Sequence, residues 1–186
     1  PVNRRQRQMC IRDSFEWIED IEGITVQMLF LDTRFFRDAL LPTDERGAPG
    51  KERYLPQTDT STSMLGDVQW SWLEQKMASE VDHRVIVSSI QFLAMGHGWE
   101  AWKTMPHERQ RLIDLIDTSS SDSVLFISGD RHRGGLYQLT SSSGKNIVET
   151  VNQQGGYFTL RDLSEYEPEW IDPVSSNYRG YDVWEL

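Results

Sequence analysis

The chain has 186 residues, a length that fits one domain or a large piece of one. Nineteen Lys and Arg against 29 Asp and Glu give a net charge of −10, with 38% hydrophobic and 26% charged residues, which excludes a fibrous or disordered chain. The acidic balance repels phosphate backbones, so nucleic acid is not expected as a stable partner, and no apolar run approaches the roughly 18–20 residues of a membrane span.

Residues 1–14 stand apart from the rest of the chain. Four arginines and one acid precede a strongly acidic sequence, and Met9-Cys10-Ile11-Arg12-Asp13-Ser14 is what one frame of a common transposon sequencing adapter encodes. This segment reads as cloning or assembly residue; the alternative is a native basic tail. Without it, 15 basic and 28 acidic residues leave a net charge of −13 and no cysteine. Cys10 is the sole cysteine, so no internal disulfide can form and cysteine usage does not fix the compartment.

Ile24–Leu31 reads as a buried strand that delivers Asp32-Thr33-Arg34 at its C-terminal end. Leu41–Ser63 carries Pro42, Pro49 and Pro56 among Gly, Thr, Asp and Ser, the composition of a long surface loop. A helix is expected from about Asp67 to Ser79, with Val68, Trp72, Leu73 and Met77 on its apolar face. Arg84–Ser88 is a short buried strand, followed by an irregular aromatic stretch to Lys103. Pro106 opens a second helix whose periodic face is Arg109, Leu112, Ile113, Leu115 and Ile116. Val124–Ser128 is a third apolar strand. Gly134–Leu139 and Ile147–Val151 flank a Ser-Ser-Ser-Gly turn and read as a hairpin, and an alternating strand closes the chain near Tyr181–Leu186. Strands alternating with helices and then running together predict an α/β fold with an antiparallel edge.

The sharpest chemical signal lies just after the third strand, in Ser128-Gly129-Asp130-Arg131-His132. In extended chain, residues i and i+2 face the same side, so the Asp130 carboxylate and the His132 imidazole converge beyond the strand end, where open α/β sheets place ligands. Oxygen and nitrogen donors of this kind suit Fe, Zn or Mn, with Ca or Mg beside it. The plainer alternative is an Asp that caps a turn beside a solvated His. Two other strand ends present Asp32-Thr33-Arg34 and Ser88-Ser89-Ile90-Gln91, which suggests one shared rim. Arg34, Arg131 or Arg133 could hold an anion there, or could instead form surface ion pairs. His97 and Glu100 are the ligand-type residues of His97-Gly98-Trp99-Glu100-Ala101-Trp102, and this cluster reads better as a packed aromatic loop than as a metal site. His83 and His107 read as surface residues.

Five blocks occur in order: Leu31-Asp-Thr-Arg34-x-x-Arg37-Asp38, Met64-Leu-Gly66-x-x-Gln69-Trp70-x-Trp72-Leu73, Ser88-Ser-Ile-Gln91, Glu100-x-Trp102-x-x-Met-Pro106-x-Glu108-Arg109 and Ser128-Gly-Asp130-Arg-His132. Together they resemble the PhoD-like (alkaline phosphatase D) branch of the calcineurin-type metallophosphoesterases, from about Ile24 to Leu139. The resemblance implies two packed mixed sheets flanked by helices, and hydrolysis of phosphate monoesters or diesters at a two-metal centre. Iron with calcium is the expected pair, with Zn, Mn or Mg in relatives. It places Asp130 and His132 at the last metal-ligand motif, with Asp130 toward the second metal and His132 toward the first. Gln91 falls where other branches place a ligand histidine and can at most be a neutral ligand or a group that supports one; with Arg34 and Arg131 it is placed on the substrate side.

The family's early motifs, Asp-x-His or a Cys-containing variant, Gly-Asp-x-x-Asp and an Asn motif, should lie well before Leu31 and have no counterpart here. The resemblance therefore implies that residues 15–186 are the C-terminal half of a phosphatase domain. Such a piece is expected to be inactive alone, with the N-terminal half as its missing partner and a phosphate ester as the substrate of the whole. A periplasmic or secreted location is the family expectation. The alternative is a complete small acidic binding module without catalysis, with Leu41–Ser63 as its partner-binding feature.

Overall fold

The computed structural model describes residues 14–121, 123–129, 131, 134–151, 174–178 and 181–185. The chain divides into two units, Pro1–Gly155 and Gly156–Leu186. The first is built on six strands, β1 (Phe15–Ile21), β2 (Ile24–Leu31), β3 (His83–Ser88), β4 (Ser123–Ser128), β5 (Gly135–Thr140) and β6 (Asn146–Val151), in the spatial order β1-β2-β3-β4-β6-β5. The β2-β3, β3-β4 and β4-β6 pairings are parallel, and both edges, β1 on β2 and β5 on β6, are antiparallel. In the second unit β7 (Val174–Tyr178) and β8 (Tyr181–Glu185) form an antiparallel pair.

Helix α1 (Gly66–Met77) connects β2 to β3, and α2 (Pro106–Thr118) connects β3 to β4. Ser63 Oγ accepts the Gly66 N–H at 2.9 Å, which satisfies a donor of the first turn of α1 that has no helical partner. Pro106 sits at the start of α2, where its missing N–H costs nothing. The apolar face of α1 differs from the expected one. Gln69, Trp70, Leu73 and Met77 are its buried residues, whereas Val68 is 66% exposed and Trp72 is half-buried. Hydrogen bonding decides the difference: Trp70 Nε1 donates to Glu108 Oε2 at 2.7 Å, and Gln69 bonds the backbone of Asp32, so this polar edge turns inward.

Strand alternation gives the sheet two unlike faces. One face carries Leu29, Leu31, Ile86, Val124, Phe126 and Ile147, which join Trp70, Leu73, Leu112, Ile113 and Ile116 of the helices in one core. The other face carries Val26, Met28, Phe30, Val85, Val87, Ile127 and Val148, all half-buried, and Leu125, which is 37% exposed. The hairpin expected in the second half forms with Gly135 opposite Val151 and Thr140 opposite Asn146. The sequence pattern does not announce β1. This strand pairs along β2 through a two-residue turn at Glu22 (φ 55°) and Gly23 (φ 86°), both left-handed as such hairpin turns require. Among the described residues no helix is long and apolar enough to cross a membrane.

Candidate functional site

The parallel register sets the geometry of the site. Leu31 is level with Ser88, Ser88 with Ser128, and Ser128 with Val151, so β2, β3, β4 and β6 end in one row. The segments leaving β2, β3 and β4 therefore open on one edge, the position at which open α/β sheets bind ligands. The first two touch directly, with Thr33 Oγ1 and Ser89 Oγ 2.6 Å apart.

Buried polar side chains hold these segments. Glu149, on β6 and fully buried, accepts the Phe92 and Leu93 N–H groups at 2.6 and 2.7 Å and the Ser128 hydroxyl at 2.6 Å. It thus fixes both the segment that contains Gln91 and the end of β4. Arg109 Nε donates to the Phe92 carbonyl at 2.9 Å; burial pushes its guanidinium pKa down, against the opposing pull of Glu149. Gln69 Oε1 accepts the Asp32 N–H at 2.9 Å while its Nε2 donates to the Asp32 carbonyl at 2.8 Å. The Asp32 carboxylate in turn accepts the Arg34 and Phe35 N–H groups through Oδ1, and its buried Oδ2 has no hydrogen-bond partner among the described residues.

The expected site residues fall into two groups. Arg34, Gln91 and Arg131 are described. Asp130 and His132 lie outside the described residues, as does Arg133. Gln91 is buried, and its Oε1 meets His97 Nε2 at 2.9 Å. Arg34 Nη1 donates to Glu100 Oε2 at 3.1 Å, and Arg37 Nη1 pairs with Glu100 Oε1. Glu100 is thus an anchor for two arginines. Trp102 behaves as the packed-loop reading expects: it is fully buried, edge-on to Trp70 and Phe92, with Nε1 3.1 Å from Ser88 Oγ. Trp99 does not. It is 37% exposed and borders an open cleft of about 370 Å³ with Arg53, Tyr54, Glu100 and Arg131. His83 is exposed, as expected, whereas His107 is half-buried with Nε2 2.6 Å from the Thr62 carbonyl.

The cleft joins two segments that sequence reading kept apart. Leu41–Ser63 has no regular element beyond a bridge between Pro42 and Tyr54, yet its backbone is bonded to the aromatic loop. Arg53 and Tyr54 N–H donate to the Gly98 carbonyl at 3.0 and 2.7 Å, and the Gly98 N–H donates to Glu52 Oε2. Backbone N–H groups, its own and that of Gly98, hold the Glu52 carboxyl below its usual range. A Cβ on Gly98 would lie 2.6 Å from backbone atoms of Gly50, Lys51 and Glu52, so only glycine permits this approach. Nothing in the Pro- and Thr-rich composition of the loop marked Arg53 or Tyr54 as site residues.

The sequence profile of PhoD-like phosphatases matches residues 1–158. The chain belongs to the PhoD-like phosphatase family. Alkaline phosphatase D of Bacillus subtilis (strain 168) is 29% identical, over 68% of this chain and 24% of its own length. A shorter match, 34% identical over 71 residues, is to a glutathione hydrolase-like YwrD proenzyme of the same strain, and covers 38% of this chain and 13% of that one. A solved structure of PhoD superposes with a TM-score of 0.55 at 20% identity, over 73% of this chain and 28% of that chain, which establishes the shared fold. The chain thus spans about a quarter of the length of these alkaline phosphatase D and PhoD relatives.

Among the described residues, no three His, Cys, Asp or Glu gather where they could hold a metal ion. The described part of this PhoD-like chain therefore does not by itself fit a two-metal centre. What it does supply is a rim of aligned strand ends, an arginine pair anchored on Glu100, and an arginine-lined cleft.

Proposed function

We propose that the whole protein is a metal-dependent phosphoric ester hydrolase, a phosphatase or phosphodiesterase, to which this chain contributes the rim at the carboxyl ends of β2, β3 and β4. The observation that carries the proposal is the family match over residues 1–158, which spans all three strand ends. Phosphatases of this family are metal-dependent. Asp130 and His132 are the metal-holding pair of this chain, and iron with calcium is the pair of ions, with Zn, Mn or Mg as substitutes. The ions, when bound, would supply the positive charge that makes water acidic enough to attack phosphorus near neutral pH. Arg34 and Arg131 meet the non-bridging oxygens of the ester through guanidinium N–H groups. Gln91, held by His97 and by the backbone that Glu149 fixes, serves as a neutral hydrogen-bonding group toward the substrate. The protein acts in the periplasm or outside the cell.

Metal binding by the purified chain tests the proposal. Isothermal titration with Fe(II), Ca(II), Zn(II) and Mn(II) is expected to show saturable binding of at least one ion, weakened at least tenfold in Asp130→Ala/His132→Ala. Equal binding by both proteins would overturn the assignment of the pair. Hydrolysis of p-nitrophenyl phosphate and bis(p-nitrophenyl) phosphate by the 186-residue chain is expected to stay at the blank rate, since the chain spans only about a quarter of the length of its phosphatase relatives. Turnover above blank would refute that expectation.

A further inference from the structure

Two arginines from distant parts of the chain converge on one tryptophan. The guanidinium carbon of Arg53 lies 5.4 Å from the Trp99 ring centroid and that of Arg131 lies 5.2 Å from it, within cation–π range. Arg53 comes from the long loop after β2 and Arg131 from the segment after β4, so their meeting is tertiary. Among the described residues neither guanidinium forms an ion pair, in a chain with 29 acidic residues. The carboxylate beside them, Glu100, is already held by Arg34 and Arg37 and does not compete for them. Glu52 is engaged with the Gly98 N–H.

We propose that the Arg53–Trp99–Arg131 cleft is an oxyanion subsite that takes a phosphate group. Trp99 acts as the platform that aims the two arginines, and their N–H groups offer the paired donors that suit phosphate oxygens. The ring already carries both guanidiniums, so it is not open to a stacked aromatic base, and beside Tyr54 and the paired Glu100 the cleft offers the N–H groups of two arginines, which favours an anion. Its biological meaning rests on the hydrolase reading. Arg131, which the hydrolase reading places on the scissile ester, is then shared between that ester and the cleft, whose far arginine, Arg53, meets a second anionic group of the same substrate. The substrate class is then an ester that carries a further phosphate group near the scissile one, such as a polyphosphorylated alcohol.

Titration of the 15N-labelled chain with inorganic phosphate in the presence of EDTA tests the cleft without any metal. The expected result is saturable shifts of the Trp99 indole and the Arg53 and Arg131 Nε–H signals, with at least tenfold weaker binding in Arg53→Gln/Arg131→Gln. Arg53→Lys/Arg131→Lys, which keeps the charge and loses the fork, is expected to fall between the two. Arg111→Gln is the control: Arg111 also lies over a tryptophan, Trp70 at 4.2 Å, but its guanidinium is paired with Glu74. A circular dichroism melt shows that each variant is folded. Absence of saturable shifts, binding unchanged in the double Gln variant, or equal weakening in Arg111→Gln would each overturn the proposal. Phosphate binding that persists when Asp130→Ala/His132→Ala leaves metal binding unchanged would uphold the cleft and reject the metal pair. The reverse combination would do the opposite.

Discussion

Replacing Glu149 with glutamine keeps the size of the side chain and changes what it can accept. The native carboxylate takes three hydrogen bonds, from Phe92 N–H, Leu93 N–H and the Ser128 hydroxyl, at full burial. An amide has one acceptor atom. With its oxygen toward Phe92 and Ser128, its NH2 faces the Leu93 N–H, and one buried donor is left without a partner, at a cost of about 1–3 kcal/mol. The two surviving bonds lose their charge, about 1 kcal/mol each, and the easier burial of a neutral group offsets part of this. The expected loss is about 2–4 kcal/mol, a large share of the roughly 5–15 kcal/mol that holds a domain together. Urea unfolding followed by circular dichroism reads the total, and amide hydrogen exchange at Phe92 and Leu93 reads its location. A loss below about 0.5 kcal/mol, the range of an ordinary surface change, with unchanged exchange at both amides would refute the reasoning.

Gly98→Ala puts a methyl group 2.6 Å from the backbone of the Gly50–Glu52 turn, so the two loops must part. Proteolysis within Leu41–Ser63 is expected to quicken several-fold, with the fold of the sheet unchanged by circular dichroism. Asp117 is held at about 2 by the hydroxyls of Ser141, Ser143 and Ser142, below its ordinary 3.8. A lowered carboxyl pKa stabilises the fold above pH 3.8 and loses that contribution as pH falls toward 2. Asp117→Asn is therefore expected to lower the melting temperature at pH 5 and to converge with the parent near pH 2; a constant difference across this range would contradict the assignment. Arg84 is buried with Nη1 lacking a partner among the described residues, and burial pushes its pKa down. Arg84→Met together with Gln27→Leu removes both ends of the 2.7 Å bond between them and is expected to leave thermal stability unchanged or raised.

The central strands were legible because they are buried along their length, and the β5–β6 hairpin because of its Ser-Ser-Ser-Gly turn. Ile24–Leu31 was readable because apolar residues run nearly unbroken through a central parallel strand, and β3 and β4 were readable for the same reason. β1 was not. Phe15, Ile18 and Ile21 are each about half exposed, so an edge strand with little to bury left no pattern to read. The shared rim was foreshadowed by three polar strand ends. The cleft was not, because the Arg53–Trp99–Arg131 convergence depends on loop backbone bonds to Gly98 that no local pattern encodes. The blocks that carry the family resemblance proved legible as words but not as roles. Gln69, Glu108 and Arg109 bind loops and Trp70 binds the second helix, across gaps of 17 to 45 residues, contacts that appear only on folding.

These contacts form a pattern along the helix-facing side of the sheet. Gln27 and Arg84, level with each other on β2 and β3, make the buried polar end remote from the rim. Leu29, Ile86, Val124, Phe126 and Ile147 fill the middle, and Ser88, Ser128 and Glu149 make the polar end at the rim. Each apolar side chain of the middle is worth about 1.5–3 kcal/mol of burial, against about 1 kcal/mol net for an ordinary hydrogen bond. Apolar burial therefore holds the helices to the sheet. The rim polar groups do a different task. Every bond that Glu149 accepts comes from the segment that carries Gln91 or from the end of β4, so its contribution goes into where those segments stand. A buried network whose members are all satisfied defines one geometry better than apolar packing can. The rim is where a phosphate ester would need its binding groups held in place before it arrives.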